Sequence, residues 1–259
     1  MSLRFRPVRR RAFLEGAAAL AMLSCVPNAL SAEDATGVQP RTGQEGTAKD
    51  IVMLHGASEG GWCFDKFRGV FEGLGWTCHA PDLIGSGKDK AGVDEKLGLT
   101  NYRAEFAAFL ETLPPKPVLL GHSRGAMLAQ LARALILVSP APRAGILPSS
   151  DSEKDLSQSL MGIASFWKTL INPDFDLACF YSLNLVPKDR RRAVLDKFGP
   201  ESGLAYFEMF FWMLDKTQAA AVDTNAVRCP VLCLSGTDDN LVSLETARVG
   251  VAPYRGATF

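Results

Sequence analysis

"LLGHSRGAML", Leu119 to Leu128, sets two glycines around a histidine, a serine and an arginine, after an apolar run and before a helix-forming one. A short continuous apolar run that passes into helix-forming residues has the pattern of a buried parallel strand leading into a helix. The motif Gly-x-Ser-x-Gly at 121–125 then falls on the turn between them. A turn that sharp strains the serine and exposes its hydroxyl, and side chains at 121 and 125 would strike neighbouring backbone. Ser123 is the candidate nucleophile. The helix aims its amino end at the site, so the Arg124 amide is a candidate donor to an oxyanion. The Arg124 side chain is expected to be exposed at the helix start, with a contact to an anionic substrate as the alternative.

The flanking sequence has the same alternation. "IVMLHG" (Ile51–Gly56) is another apolar run, ending at His-Gly; a helical pattern at 64–74, a strand at 77–81, a turn-rich "DLIGSGKDKAG" and a helix at 101–113 precede the motif. "ALILVSP" (134–140) and "PVLCLSG" (230–236) are again buried strands, and a helix is expected over Ser243–Val251. Strands alternating with helices predict an α/β fold with a mostly parallel sheet covered on both faces. The alternation stops between about 141 and 228, where three helical stretches (152–170, 187–198 and 204–214) predict an inserted helical lid. The aromatic run "YFEMFFWML" (206–214) is read first as packing of that lid on the core, and otherwise as an apolar wall over a pocket.

Two further groups could serve Ser123. On the loop "LHGASEGGW" the Ala57 amide is a candidate second oxyanion donor, with Gly56 allowing a tight bend, and His55 is read as tying the loop to backbone. After the late strand, "LSGTDDNLV" offers Asp238 and Asp239, either of which has the chemistry to orient a histidine; capping of the next helix is the plainer role for both.

Residues 1–32 read separately. A basic stretch, a short apolar stretch and a small-residue end at Ala32 form a signal peptide, and "RRAFLE" (Arg10–Glu15) resembles the twin-arginine export signal. This predicts a partner in the export machinery and a periplasmic or secreted product, with cleavage near Ala32 favoured over lipid anchoring at Cys25. Residues 33–49 read as a linker. Without residues 1–32 the chain has 23 basic and 27 acidic residues, a net of −4, which argues against nucleic acid as a partner. Cys63, Cys78, Cys179, Cys229 and Cys233 have no zinc-type spacing. Cys229 and Cys233, about 13 Å apart at strand rise, are too far apart to bridge to each other.

Taken together, "HGASEGGWCF", "PDLIGSG", "GHSRG", "LILVSPAP" and "GTDDNLV" make residues 51–259 resemble the α/β-hydrolase-fold serine hydrolases, and specifically the methylesterase and hydroxynitrile lyase branch. The resemblance implies an acyl-enzyme esterase with a small-molecule ester substrate, no cofactor and no metal. It assigns the acid to Asp239, three residues after the glycine. Gly56, where the lyases of that branch carry threonine, points to ester hydrolysis, and a serine at 123 separates the chain from dehalogenases and epoxide hydrolases. Two departures stand out. The stretch between His122 and Arg133 is short for a crossover between parallel strands, which suggests an internal deletion. The family histidine should lie roughly two dozen or more residues after the acid, yet 20 residues follow Asp239 and none is histidine. A C-terminally truncated, impaired esterase is therefore expected, with a ligand-binding homologue that has lost its base as the alternative.

Overall fold

The computed structural model describes residues 49–114, 117–129 and 134–259, so the expected signal peptide and nearly all of the linker lie outside the described residues. β1 (Asp50–Leu54) leads through a 3-10 turn at Gly61–Phe64 into α1 (Asp65–Gly73) and β2 (Thr77–His79). Then come α2 (Leu99–Glu111), β3 (Val118–His122), α3 (Arg124–Leu128) and β4 (Ala134–Val138). Before the chain re-enters the sheet it builds α4 (Asp151–Met161), β5 (Leu170–Ile171), α5 (Phe175–Tyr181), α6 (Lys188–Leu195), β6 (Glu201–Ser202) and α7 (Gly203–Phe210). β7 (Val231–Leu234) and α8 (Leu244–Val251) follow.

The main sheet has the order β2-β1-β3-β4-β7 with every pairing parallel, while β5 and β6 form a separate antiparallel ribbon. Strand order reverses between β1 and β3. At such a switch point the loops leaving the two strands diverge to opposite faces, opening a crevice at their carboxyl ends. Leu54 pairs with Gly121, so the loop after β1 and the turn after β3 emerge side by side. The topology thus brings residues 55–61 to Ser123.

Strand residues alternate between two cores, as the period of two requires. Ile51, Met53, Val118 and Leu120 pack with Phe64 and the Phe67 and Phe71 rings of α1. Val52, Leu54, Leu119, Leu135 and Leu137 pack with Tyr102 and Phe106 of α2, Ala126 and Leu128 of α3, and Val251 of α8. At the β7 side the first face is open: Leu232 and Leu234 are 37% and 46% exposed. Thr258 forms a parallel bridge to Leu232 along the outer edge of β7.

Several local expectations need correction. The helix expected over 152–170 stops at Met161, because Gly162 caps it and Ser165 takes a left-handed φ of 53°; Trp167 falls in a 3-10 turn instead. The helix expected to reach Leu214 ends at Phe210. α5 was not foreseen from the sequence, although the Asp174 side chain caps it by accepting from the Leu177 amide. Residues 130–133, where the shortened crossover was suspected, lie outside the described residues; α3, just before them, has five residues. The aromatic run packs inward as the plainer reading expected: Tyr206, Met209 and Phe211 are buried in one cluster with Leu156, Leu160, Phe166 and Ala57.

Candidate active site

Ser123 is held at φ 51°, ψ −117°, between the end of β3 and the start of α3. A non-glycine residue there is strained by about 1–3 kcal/mol and persists only where its surroundings dictate it. Here they do. Ser123 donates its amide to Val138 of β4 (3.1 Å) and accepts on its carbonyl from Ala126 (3.0 Å) and Ala141 (3.2 Å). A Cβ at Gly125 would lie 2.1 Å from the Leu54 carbonyl oxygen, so only glycine lets α3 approach β1 this closely. Gly56 also matters for proximity rather than for bending. Its φ is not positive, but a Cβ there would meet Glu59 Oε2, Ser123 Cβ and His122 Nδ1 at 3.0–3.2 Å.

Neither the Ala57 nor the Arg124 amide donates to a protein acceptor among the described residues. Both therefore keep an N–H without a protein acceptor, one on the residue after the serine and the other on the loop that emerges beside it. The loop carrying Ala57 is bound by two buried carboxylates: Gly56 donates its amide to Glu59 Oε2 (2.8 Å), and Ser58 donates to Glu201 Oε2 (3.0 Å).

The Arg124 side chain is neither exposed nor available to a substrate, contrary to both sequence readings. It is 0% exposed. Its Nη1 donates to Glu201 Oε2 at 2.5 Å, its Nη2 to the Gly56 carbonyl at 3.2 Å, and its guanidinium lies 4.0 Å from the centre of the Tyr102 ring. Burial opposes its charge, but Glu201 together with Tyr102 and Tyr206 outweighs this and holds the guanidinium protonated. A charge neutralised in this way cannot recruit an anion.

The two aspartates separate clearly. Asp238 is exposed, while Asp239 is 7% exposed. Oδ1 of Asp239 accepts the Leu241 and Val242 amides, both at 2.9 Å. Burial raises its carboxyl above the usual range, against those amides, the Ser139 hydroxyl and the charge of His122. Asp239 is thus the aspartate brought beside the elbow.

The three histidines are all engaged. His55 is fully buried; its Nε2 accepts the Leu83 amide (3.1 Å), so the proton sits on Nδ1 and is donated to the Gly56 carbonyl (2.7 Å). Burial, together with the Arg124 charge, lowers its pKa to about 4 and keeps it neutral. His79 pairs with Asp50 at the start of β1 (2.9 Å). His122 Nδ1 lies 2.8 Å from Glu59 Oε2. Burial alone would depress His122, but the Glu59 charge and hydrogen bond, helped by Asp239, raise it. Glu59, Tyr102, Ser139 and Glu201 were not singled out from the sequence. Only Glu59, a carboxylate inside an otherwise small and apolar loop, gave a visible signal. All five described cysteines are free thiols, and among the described residues no group of three or more His, Cys, Asp or Glu is arranged to hold a metal ion.

A strained serine on a strand-to-helix turn at a switch point, two free amides and a buried aspartate after a late strand make up the nucleophile-elbow arrangement of the hydrolases. The sequence pattern of the alpha/beta hydrolase family matches residues 51–258. This chain belongs to the alpha/beta hydrolase family. Norfluorocurarine synthase 1 of Strychnos nux-vomica is 34% identical over 86 residues, covering 32% of this chain and 32% of that protein. Methylesterase 7 of Arabidopsis thaliana is 30% identical over 128 residues, covering 48% of this chain and 43% of that protein. The match thus spans less than half the length of either curated relative. In fold, an extracellular alpha/beta-hydrolase from a Paenibacillus species superposes with a TM-score of 0.63 at 18% identity, over 82% of this chain and 88% of that one.

Proposed function

We propose that this alpha/beta hydrolase cleaves small carboxylic esters through an acyl-enzyme on Ser123. The observation that carries the reading is the serine itself, strained at φ 51° beside the free amides of Ala57 and Arg124. In this reading Ser123 Oγ attacks the ester carbonyl carbon, its proton passes to a base, and the two amides receive the oxyanion. Collapse of the tetrahedral intermediate breaks the ester C–O bond and expels the alcohol with that proton; water then repeats the sequence on the acyl-enzyme. Asp239 would orient the base through Oδ2, which has no hydrogen-bond partner among the described residues, while Oδ1 is held by backbone. The kinship with Methylesterase 7 and the apolar cluster joining Ala57 to the inserted helices support an apolar or aromatic ester. No cofactor or metal is needed for these steps.

The base is the weak point. His55 uses both ring nitrogens, His79 and His122 each hold a carboxylate on one, and none hydrogen-bonds the Ser123 hydroxyl among the described residues, so we propose that the chain as it stands turns over poorly. The twin-arginine-like leader supports the further proposal that the product is exported to the periplasm or beyond.

The absence of a histidine on the Ser123 hydroxyl among the described residues also favours a second reading, a ligand-binding protein that retains the elbow without turnover. A fluorophosphonate probe followed by peptide mass spectrometry separates the two. Slow covalent labelling at Ser123, absent in Ser123→Ala, is the outcome expected of the hydrolase. Reversible ester binding with no adduct at Ser123 supports the binder and contradicts the hydrolase.

A further inference from the structure

The Ala57 N–H belongs to the same peptide unit as the Gly56 carbonyl. A trans, planar unit points the two in opposite directions, so whatever fixes the Gly56 oxygen also aims the Ala57 amide. Two side chains fix that oxygen: His55 through Nδ1 at 2.7 Å and Arg124 through Nη2 at 3.2 Å. On the other side of Ala57, the Ser58 amide is fixed by Glu201 Oε2, the same oxygen that receives Arg124 Nη1. Both peptide units flanking Ala57 are therefore held by one buried ion pair.

The pair is itself braced. Tyr102 donates its hydroxyl to Glu201 Oε1 at 2.7 Å and stacks its ring on the guanidinium, and the Ser202 amide donates to the same Oε1 at 3.1 Å. Glu201 comes from β6, the inserted ribbon strand, and is 1% exposed. A bidentate arginine suits this task, since its rigid fork can reach an oxygen on each of two groups at once, which a lysine point charge cannot do.

We propose that Arg124 and Glu201 are positioning residues for the oxyanion hole. Arg124 supplies one donor from its backbone and aims the other with its side chain, while Glu201 ties both to the inserted segment. This rests on the proposed role of the Ala57 and Arg124 amides. It also makes the insertion part of the catalytic geometry, since a shift of β6 would release the Ala57 peptide.

The test compares the full-length wild type with Glu201→Gln and Arg124→Lys, with Tyr102→Phe as the milder variant should either fail to fold. Three quantities are measured: the rate of Ser123 labelling by a fluorophosphonate, the thermal midpoint, and the orientation of the Gly56–Ala57 peptide in crystals. Folded variants should label about 10-fold more slowly or worse, short of the roughly 10²–10³-fold cost of deleting an oxyanion donor outright, and should show that peptide rotated or in two orientations. Tyr102→Phe should show a smaller effect in the same direction. Wild-type labelling rates with an unmoved peptide in folded variants would overturn the proposal. If the wild type itself does not label at Ser123, the hydrolase reading fails, and the peptide orientation alone then decides whether the ion pair sets the loop.

Discussion

Nδ1 of His122 lies 2.8 Å from Oε2 of Glu59, and the same carboxylate oxygen accepts the Gly56 amide. The histidine next to the nucleophile is thereby committed to holding the loop that carries Ala57. With His55 on the Gly56 carbonyl and Arg124 on the same oxygen, the polar interior of this site is organised around one short backbone segment. What these residues build is a loop held in a fixed shape, the loop that carries the proposed oxyanion donor Ala57, and a proton acceptor for Ser123 is the part not found among them.

The strain at Ser123 predicts a trade of activity for stability. Ser123→Gly places at φ 51° the residue that adopts it without penalty. Relief of about 1–3 kcal/mol, less the greater entropy that glycine loses on folding, should leave a net gain of about 1 kcal/mol, or ~2–4 °C in thermal midpoint. A midpoint equal to or below that of wild type would show that the elbow is relaxed.

His55 should make folding acid-sensitive. The unfolded chain takes up its proton near pH 6.5, whereas the folded protein refuses it until about 4. Between those values the unfolded state binds more protons, so stability falls as the pH is lowered, by up to about 3 kcal/mol for this group. His122, whose pKa is raised, acts in the opposite sense, stabilising at low pH and losing that contribution as the pH rises through its folded value. Chemical denaturation across pH 4–7 should therefore show a shallower acid loss in His55→Gln than in wild type. Identical slopes would contradict the buried neutral imidazole.

Asp239 should cost stability at neutral pH. Its folded pKa is raised, so the native state holds the proton longer than the unfolded chain does, and stability drops as the pH rises through that interval. Asp239→Asn keeps an Oδ1 acceptor for the Leu241 and Val242 amides and removes the buried charge. The variant should be more stable than wild type at pH 7, with the difference shrinking towards pH 4. A less stable variant at pH 7 would mean that the charge is fully compensated.

The open face at β7 should promote self-association. Leu232 and Leu234 continue the row of Ile136 and Val138 and are left partly exposed among the described residues, the kind of apolar strand surface that soluble proteins blunt with charge. Leu234→Lys should lower light scattering at high protein concentration and leave the fold intact. Scattering unchanged from wild type would show that this face is not the sticky one.

The elbow and the sheet were legible because local sterics force them. Gly125 sits 2.1 Å of virtual Cβ distance from the Leu54 oxygen, and the strand runs are uninterrupted apolar stretches. Asp239 could be separated from Asp238 only by resemblance, since chemistry and spacing suit both; the difference lies in burial. Arg124 was misread because its partner Glu201 is 77 residues away, in a two-residue strand with no sequence pattern of its own. The same holds for Tyr102, 99 residues from Glu201. Contacts of that span are set by how the insertion folds back, and a single sequence does not encode them in any local period. α4 was extended too far because Leu156, Leu160, Ile163 and Trp167 keep a helical spacing that Gly162 and Ser165 interrupt.

Hydrolysis of a p-nitrophenyl ester by the purified full-length chain, with Ser123→Ala as the reference, tests the central claim most directly. If the oxyanion hole is intact and no histidine serves Ser123, turnover should stay within roughly 10³–10⁴-fold of the uncatalysed rate, the catalysis that the oxyanion hole and binding supply when a triad member is lost, and Ser123→Ala should lower it little further. Rapid turnover that disappears in Ser123→Ala would mean that one of the engaged histidines does act as the base, and would contradict the account.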